Sequence, residues 1–169
     1  RGERSFIAYH GIEYKFNREW FKFLDLSTFS NVYLCGLELE ENTGEEIVKF
    51  LEENRFKNIY FAPGPRLLTI KEDFVKRIFA LNPIIHLNDQ EIISYTKDSD
   101  IDRAMKTLRA MTGNDVIVTM GKDGASLLTS CDLIYEKSRD SVVVDSIGAG
   151  DCHLGTYISY RSMGKDKRE

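Results

Sequence analysis

The chain has 169 residues, of which 42% are hydrophobic and 30% are charged, a balance that is ordinary for one globular domain. Its formal net charge is −4, and acidic and basic residues are mixed along its length, so it lacks the basic stripe that nucleic-acid binding requires. No apolar run approaches the roughly 20 residues of a membrane-spanning helix, and the charged start lacks the apolar stretch of a secretory signal.

The cysteines and the first residues indicate the compartment and the extent of the chain. Cys35, Cys131 and Cys152 are widely spaced and odd in number, which fits neither a disulfide framework nor a zinc knuckle. We therefore expect reduced thiols and a cytoplasmic protein, without nucleic acid or membrane as partners. The abrupt, charged start at Arg1 leads us to expect a piece of a longer protein.

The first third of the chain contains three predicted elements. Residues 4–9 alternate between polar and apolar, which is typical of a half-exposed strand. Residues 32–36 form a short apolar run that predicts a buried strand. A helix should then begin at a capping box in which Thr43 is the cap and Glu46 lies three residues on.

Short apolar runs and helical periodicity alternate through the rest of the chain. Strands are predicted at 59–61, 84–87, 116–120, 125–128 and 142–144. Helices are predicted at 73–81, 89–95, from 101 through at least 108, and at 151–163, where Gly164 would end the last helix. Uninterrupted strands that alternate with helices indicate an α/β fold, with a mostly parallel sheet covered by helices on both faces.

In such sheets ligands bind beyond the carboxyl ends of the strands, which directs attention to the loops after Leu87, Met120 and Val144. The last loop, residues 145–151, contains two glycines that let consecutive backbone N–H groups face one point. The start of a helix there would add its positive end to an anion site. Asp151 fits this setting as a base that takes a proton from an attacking hydroxyl, although a plain glycine turn is the alternative.

The other two loops are weaker signals when each is taken alone. Asn88 and Glu91 fall on one face of a helical turn and could order a hydrated magnesium ion, or Asn88 could simply cap a helix. Residues 119–124 carry a Thr-x-Gly-x-x-Gly pattern, which without context is typical of a hairpin turn.

Together, in this order, the three segments resemble the ribokinase, or PfkB, family of carbohydrate kinases. Residues 145–151 are similar to its Asp-Thr-x-Gly-Ala-Gly-Asp signature, with Ser146 in the place of the threonine. The chain resembles the central-to-C-terminal part of a member. The resemblance therefore implies an incomplete ribokinase-like sheet, a lid-type strand within residues 1–13, and a partial nucleotide-binding and catalytic domain at 14–169.

The resemblance also implies roles for individual residues, with ATP and magnesium as cofactors. It makes Asp151 the catalytic base and Gly148, Ala149 and Gly150 the anion hole. Nucleotide contacts would come from Asn88, Thr119, Gly121, Lys122, Gly124 and Gly150. Glu91 would help to hold magnesium, and Asp145 and Ile147 would border a monovalent-cation site, which the family pattern implies is for potassium.

The activity implied is phosphorylation of a hydroxyl group on a sugar or nucleoside, and lid strands of this family can pair subunits into a homodimer. Two alternatives stay open: a non-catalytic nucleotide-binding fragment or relative, and a kinase of hydroxymethylpyrimidine- or pyridoxal-type substrates. Next to the base, Cys152 and His153 stand where the family commonly has Ala-Phe. We expect Cys152 to be a small buried residue and His153 to pack within the helix.

Overall fold

The computed structural model describes residues 9–168. The lid-type strand within 1–13 lies mainly outside these residues and stays a prediction, since the described part holds only the start of a 3₁₀ turn, Ile12–Tyr14. No helix among the described residues combines the length and the apolar character that crossing a membrane would need.

A six-stranded sheet forms the centre of the fold, and its strands lie side by side in chain order. They are β1 (Asn31–Cys35), β2 (Asn58–Ala62), β3 (Ile84–Asn88), β4 (Val116–Thr119), β5 (Ala125–Leu128) and β6 (Leu133–Glu136). The first four are parallel, and β5 and β6 continue the sheet antiparallel. The α/β class and the mostly parallel sheet are therefore confirmed, whereas β6 was not predicted.

Five α-helices of the described residues cover the two faces of this sheet. They are α1 (Gly44–Glu53), α2 (Glu72–Ala80), α3 (Asp89–Thr96), α4 (Ile101–Thr112) and α5 (Ala149–Ser162). The larger core packs the apolar sides of α1 to α4 against one face, where Phe61 and Ile85 point. The smaller core holds α5 against the other face through Leu154, Tyr60 and Ile84. Neighbouring residues of a strand point to opposite faces, which is why β2 and β3 contribute to both cores.

The capping box predicted at Thr43 is wrong, although the helix begins where it was expected. Thr43 itself has helical backbone angles, and its side chain makes no capping hydrogen bond. Its Oγ1 accepts instead from the backbone N–H of Phe16, at 3.0 Å. The side chain therefore ties the preceding segment to α1 rather than closing the first turn of the helix.

The strand predicted at 142–144 is also wrong. The three valines Val142, Val143 and Val144 are exposed, and residues 137–148 run from β6 to α5 without joining the sheet. Their β-branched side chains favour extended backbone, but a strand also needs a paired neighbour, and these residues have none within the described chain. The helix that follows begins at Ala149, two residues earlier than predicted, and Gly164 ends it with a φ of 77°.

Candidate functional site

Polar residues from several elements meet at the carboxyl end of the sheet, on the side that α5 covers. They surround a cavity of about 270 Å³. Its lining includes Tyr33, Ala62, Gly64, His86, Asn88, Glu91, Thr119, Gly150 and Asp151. The fold therefore brings together residues from all three loops that the sequence singled out, even though the last loop does not follow a strand.

A second cavity, of about 370 Å³, adjoins the first. It is lined by the turn between β4 and β5, by the chain after β6 and by the start of α5. Thr119 and Gly150 line both cavities, so they stand at the boundary between them. The two spaces form one bipartite site around the beginning of α5.

The first turn of α5 has the geometry of an anion-binding helix start. Gly148 precedes the helix with a φ of 72°, a left-handed conformation that glycine adopts without strain. Upstream, Asp145 Oδ1 accepts from the N–H of Ile147 at 2.9 Å, which closes the turn that leads into the helix. The N–H of Ala149 donates to the Ser146 carbonyl and that of Cys152 to the Gly148 carbonyl, so the donors that remain in this turn are those of Gly150 and Asp151, which line the first cavity.

Asp151 lies in this first turn, exposed and facing the first cavity rather than the core. Tyr33, on β1, lines the same cavity. The pKa of Tyr33 is raised, mainly because its hydroxyl is partly buried. The negative charges of Cys35 and Asp151 raise it further, and so does Asp151 as a hydrogen-bond acceptor. A carboxylate at a helix start, open to a polar cavity, is suitably placed to accept a proton from a bound hydroxyl.

Asn88 and Glu91 form a reciprocal capping box at the start of α3. Asn88 Oδ1 accepts from the N–H of Glu91 at 2.8 Å, and Glu91 Oε2 accepts from the N–H of Asn88 at 2.9 Å. The helix-cap alternative for Asn88 is thus what the structure contains. Both side chains also line the first cavity, and burial raises the pKa of Glu91. Its second oxygen, Oε1, lies on the side of Gly64, so one carboxylate oxygen remains for a hydrated cation.

Residues 119–124 form a tight turn between β4 and β5, the hairpin turn that their sequence pattern alone predicted. Met120 N–H donates to the Gly124 carbonyl at 2.8 Å, and Gly121 and Gly124 both have positive φ. A Cβ on Gly124 would collide with the Glu136 carbonyl at the end of β6, so only glycine fits at this position. Thr119, Gly121 and Gly124 line the second cavity, whereas the exposed Lys122 lines neither.

The residues predicted to border a monovalent cation lie outside both cavities. Asp145 and Ile147 are exposed, and their link is the turn described above. Over residues 9–168, no group of three or more His, Cys, Asp or Glu side chains is arranged to hold a metal ion. A cation there would depend on backbone carbonyls, so the potassium site stays a prediction.

Three residues that line the site, Tyr33, His86 and His153, were not singled out as site residues by the sequence. His86 is buried, and burial together with nearby His153 lowers the pKa of His86 to about 4. His153 stacks on His86 and lines the second cavity, so it is packed and also borders the site. Cys152 is exposed, so its expected burial is wrong.

Comparison with known proteins agrees with this arrangement. A family model described as pfkB family carbohydrate kinase matches residues 1–169. The uncharacterised sugar kinase YegV of Escherichia coli K12 is 30% identical over 167 residues, which cover 96% of this chain and 52% of that protein.

Solved structures share the fold. A proposed ribokinase II from E. coli, in complex with ATP and Mg²⁺, is 25% identical with a TM-score of 0.71, over 84% of this chain and 48% of that one. Adenosine kinase from Sinorhizobium meliloti is 18% identical with a TM-score of 0.71, over 85% and 46%. Fructokinase from Vibrio cholerae, with fructose, ADP and calcium, is 20% identical with a TM-score of 0.67, over 88% and 53%.

The chain spans about half the length of these relatives. A match along its whole length, a curated sugar kinase at 30% identity and the shared α/β fold all agree. The chain therefore belongs to the pfkB family of carbohydrate kinases.

Proposed function

We propose that the full-length protein transfers the γ-phosphoryl group of ATP to a hydroxyl of a sugar or nucleoside, with Asp151 as general base. The observation that carries this proposal is the position of the Asp151 carboxylate. It faces a polar cavity from the same helical turn whose N–H groups can bind an anion.

The two cavities suit the two reactants. The nucleotide would occupy the second cavity, where Thr119, Gly121 and Gly124 leave space beside the start of α5. The acceptor would occupy the first cavity, beside Asp151. Gly150 borders both, so the phosphoryl group would cross at the backbone of Gly148 to Gly150 while Asp151 takes the hydroxyl proton.

The residues of the first cavity fit a hydrated magnesium ion. When bound with ATP, magnesium would neutralise phosphate charge during transfer. Asn88 and Glu91 would orient its water shell, because the capping box fixes both side chains and leaves Glu91 Oε1 on the cavity side. Potassium near Asp145 and Ile147 and a homodimer through residues 1–13 follow from the family alone. A cytoplasmic location follows from the number and spacing of the cysteines.

Two other functions need the same test. A non-catalytic nucleotide-binding relative would keep the phosphate site without turnover, and a vitamin-precursor kinase would use the same base on a heteroaromatic alcohol. The exposed Asp151 beside an open cavity favours catalysis over the first of these. The acceptor screen below separates all three.

The test is a phosphorylation screen of sugars, nucleosides and vitamin precursors with the full-length protein, ATP and magnesium. We expect ADP release with a sugar or nucleoside. Asp151→Asn should lower turnover by about 10² to 10⁴ while nucleotide affinity is kept. Asp102→Asn is the matched control, because Asp102 is exposed on α4, which packs on the opposite face of the sheet. Turnover of Asp151→Asn within threefold of the parent would exclude Asp151 as the base.

A further inference from the structure

Tyr33 occupies an unusual position beside the proposed base. It pairs in register with Tyr60 across β1 and β2, so both rings lie on the α5 side of the sheet. Tyr60 is buried and its ring meets that of Tyr157 on α5, with centroids 6.4 Å apart. Tyr33 is 48% exposed and lines the first cavity together with Asp151. One tyrosine is therefore part of the core, while its neighbour faces the site.

Among the groups that raise the pKa of Tyr33, Asp151 is the candidate partner for its hydroxyl. After burial, the causes that raise the pKa of Tyr33 are the charges of Cys35 and Asp151, the hydrogen bond to Asp151 and the charge of Glu38. Burial and the hydrogen bond to Glu38 raise the pKa of Cys35 to about 11, so this thiol is neutral at ordinary pH. The Glu38 carboxylate already accepts from Cys35 Sγ, at 3.0 Å.

Glu91 and His86, which also line the cavity, make contacts with other residues. The Glu91 carboxylate closes the capping box with Asn88, and His86 stacks on His153 deeper in the site. A protonated phenol is a hydrogen-bond donor, and the nearby carboxylate of Asp151 is an acceptor. An aspartate in the first turn of a helix can otherwise fold back onto the N–H groups of that turn. A donor on the neighbouring strand would hold it outward.

We propose that Tyr33 is a positioning residue, whose hydroxyl donates to the Asp151 carboxylate and holds it towards the acceptor hydroxyl in the first cavity. This inference rests on the proposed function, since the orientation of Asp151 matters for turnover only if Asp151 is the base. The ring of Tyr33 also forms the wall of the cavity on the β1 side. Removal of the hydroxyl alone should therefore impair proton transfer and leave nucleotide binding unchanged.

The kinetic test compares Tyr33→Phe with the parent in the full-length protein. We expect kcat to fall about tenfold, because a hydrogen bond to a charged group is lost, with KM for ATP unchanged within twofold. Tyr160→Phe, at an exposed position of α5, should change neither quantity. An unchanged kcat in Tyr33→Phe, or an equal change in kcat and in KM for ATP, would overturn the positioning role.

A second measurement does not require turnover. NMR of the protein with isotope-labelled tyrosine follows each phenol as it titrates, and the signal absent from Tyr33→Phe belongs to Tyr33. Asp151→Asn should lower the titration midpoint of Tyr33, whereas Asp102→Asn should leave it in place. An unmoved midpoint overturns the contact, whether or not an acceptor has been found. A moved midpoint in a protein that phosphorylates no acceptor overturns the proposed function instead, and with it the catalytic purpose of the contact.

Discussion

The ring of His153, on α5, stacks on the ring of His86, in β3, with centroids 5.5 Å apart and planes at 24°. His86 Nε2 and His153 Nδ1 are both buried without a hydrogen-bond partner. Burial lowers the pKa of each histidine, and the proximity of His153 lowers that of His86 further. A pair of neutral imidazoles therefore joins the sheet to α5 directly behind Gly150, whose Cβ position lies 3.8 Å from His86.

Stability should depend on pH through this pair. Folding lowers the pKa of His86 from 6.5 to about 4. Between these two pH values the imidazole is protonated in the unfolded chain and neutral in the folded protein. The free energy of unfolding should therefore decrease as the pH drops from about 6.5 towards about 4, by roughly 3 kcal/mol in total from His86. His153 should add to the decrease, since its pKa is shifted in the same direction.

Urea unfolding of the full-length protein at pH 7 and pH 5 measures this dependence. His86→Leu should flatten it, because leucine takes up no proton and also removes an unpartnered buried nitrogen. An equally steep dependence in His86→Leu would show that other groups are responsible.

Gly150→Ala should separate folding from function. An added Cβ would meet only His86 Cε1, at 3.8 Å, which is an ordinary contact. Alanine is also a better helix residue than glycine, by about 0.5–1 kcal/mol, so the variant should be at least as stable as the parent. Its methyl group would stand at the boundary of the two cavities, so we expect turnover to fall at least tenfold.

Gly155→Ala is the matched control for Gly150→Ala. Gly155 lies further along α5, and nothing is within 4 Å of its Cβ position. Thermal unfolding should show the same gain in stability, with turnover unchanged. Gly148→Ala should differ from both, because its φ of 72° makes any side chain strained, and stability should fall by about 1 kcal/mol. Full turnover in Gly150→Ala would argue against an anion site there.

The hydroxyl of Tyr157 offers a test of packing beneath α5. It is buried without a partner, and burial raises the pKa of Tyr157 to about 12. Tyr157→Phe removes this unsatisfied group and keeps the ring, so the free energy of unfolding should rise by about 1 kcal/mol. Tyr160→Phe, which alters an exposed ring on the same helix, should change it by less than about 0.5 kcal/mol. A loss of stability in Tyr157→Phe would mean that its hydroxyl has a partner, such as a bound water.

The sequence predicted most of the sheet because buried parallel strands are short uninterrupted apolar runs. Where burial was absent, the same pattern misled: Val142, Val143 and Val144 resemble a strand, yet they are exposed and unpaired. Conversely, β6 was missed because Leu133–Glu136 is a short edge strand, identified only by its pairing with β5. Pairing is a tertiary property that local residue preferences do not contain.

The site was predictable where glycine and caps leave local signals. The turn before Asp151 and the Asn88–Glu91 pair could be predicted from the sequence, because in each the interacting groups lie within a few residues of one another. The stacking of His86 and His153 could not be predicted, because they lie 67 positions apart in the chain and only the packing of α5 on β3 brings them together. Tyr33 is a similar case, since its proximity to Asp151 depends on the same helix position.

Glu91→Gln should weaken magnesium use without unfolding α3. Glutamine can close the same capping box, so the two hydrogen bonds with Asn88 persist and stability should change by less than about 0.5 kcal/mol. The charge facing the cavity is lost, so the magnesium concentration for half-maximal turnover should rise several-fold. In the parent, burial raises the pKa of Glu91, so this carboxylate becomes protonated at a higher pH than an ordinary one. Magnesium affinity should therefore begin to fall at that higher pH when the solution is acidified. Glu91→Gln should not show this fall. Glu91→Ala, which also loses the cap, should lose about 1 kcal/mol of stability in addition. A magnesium titration identical to that of the parent would remove Glu91 from the cation site and leave it only the cap of α3.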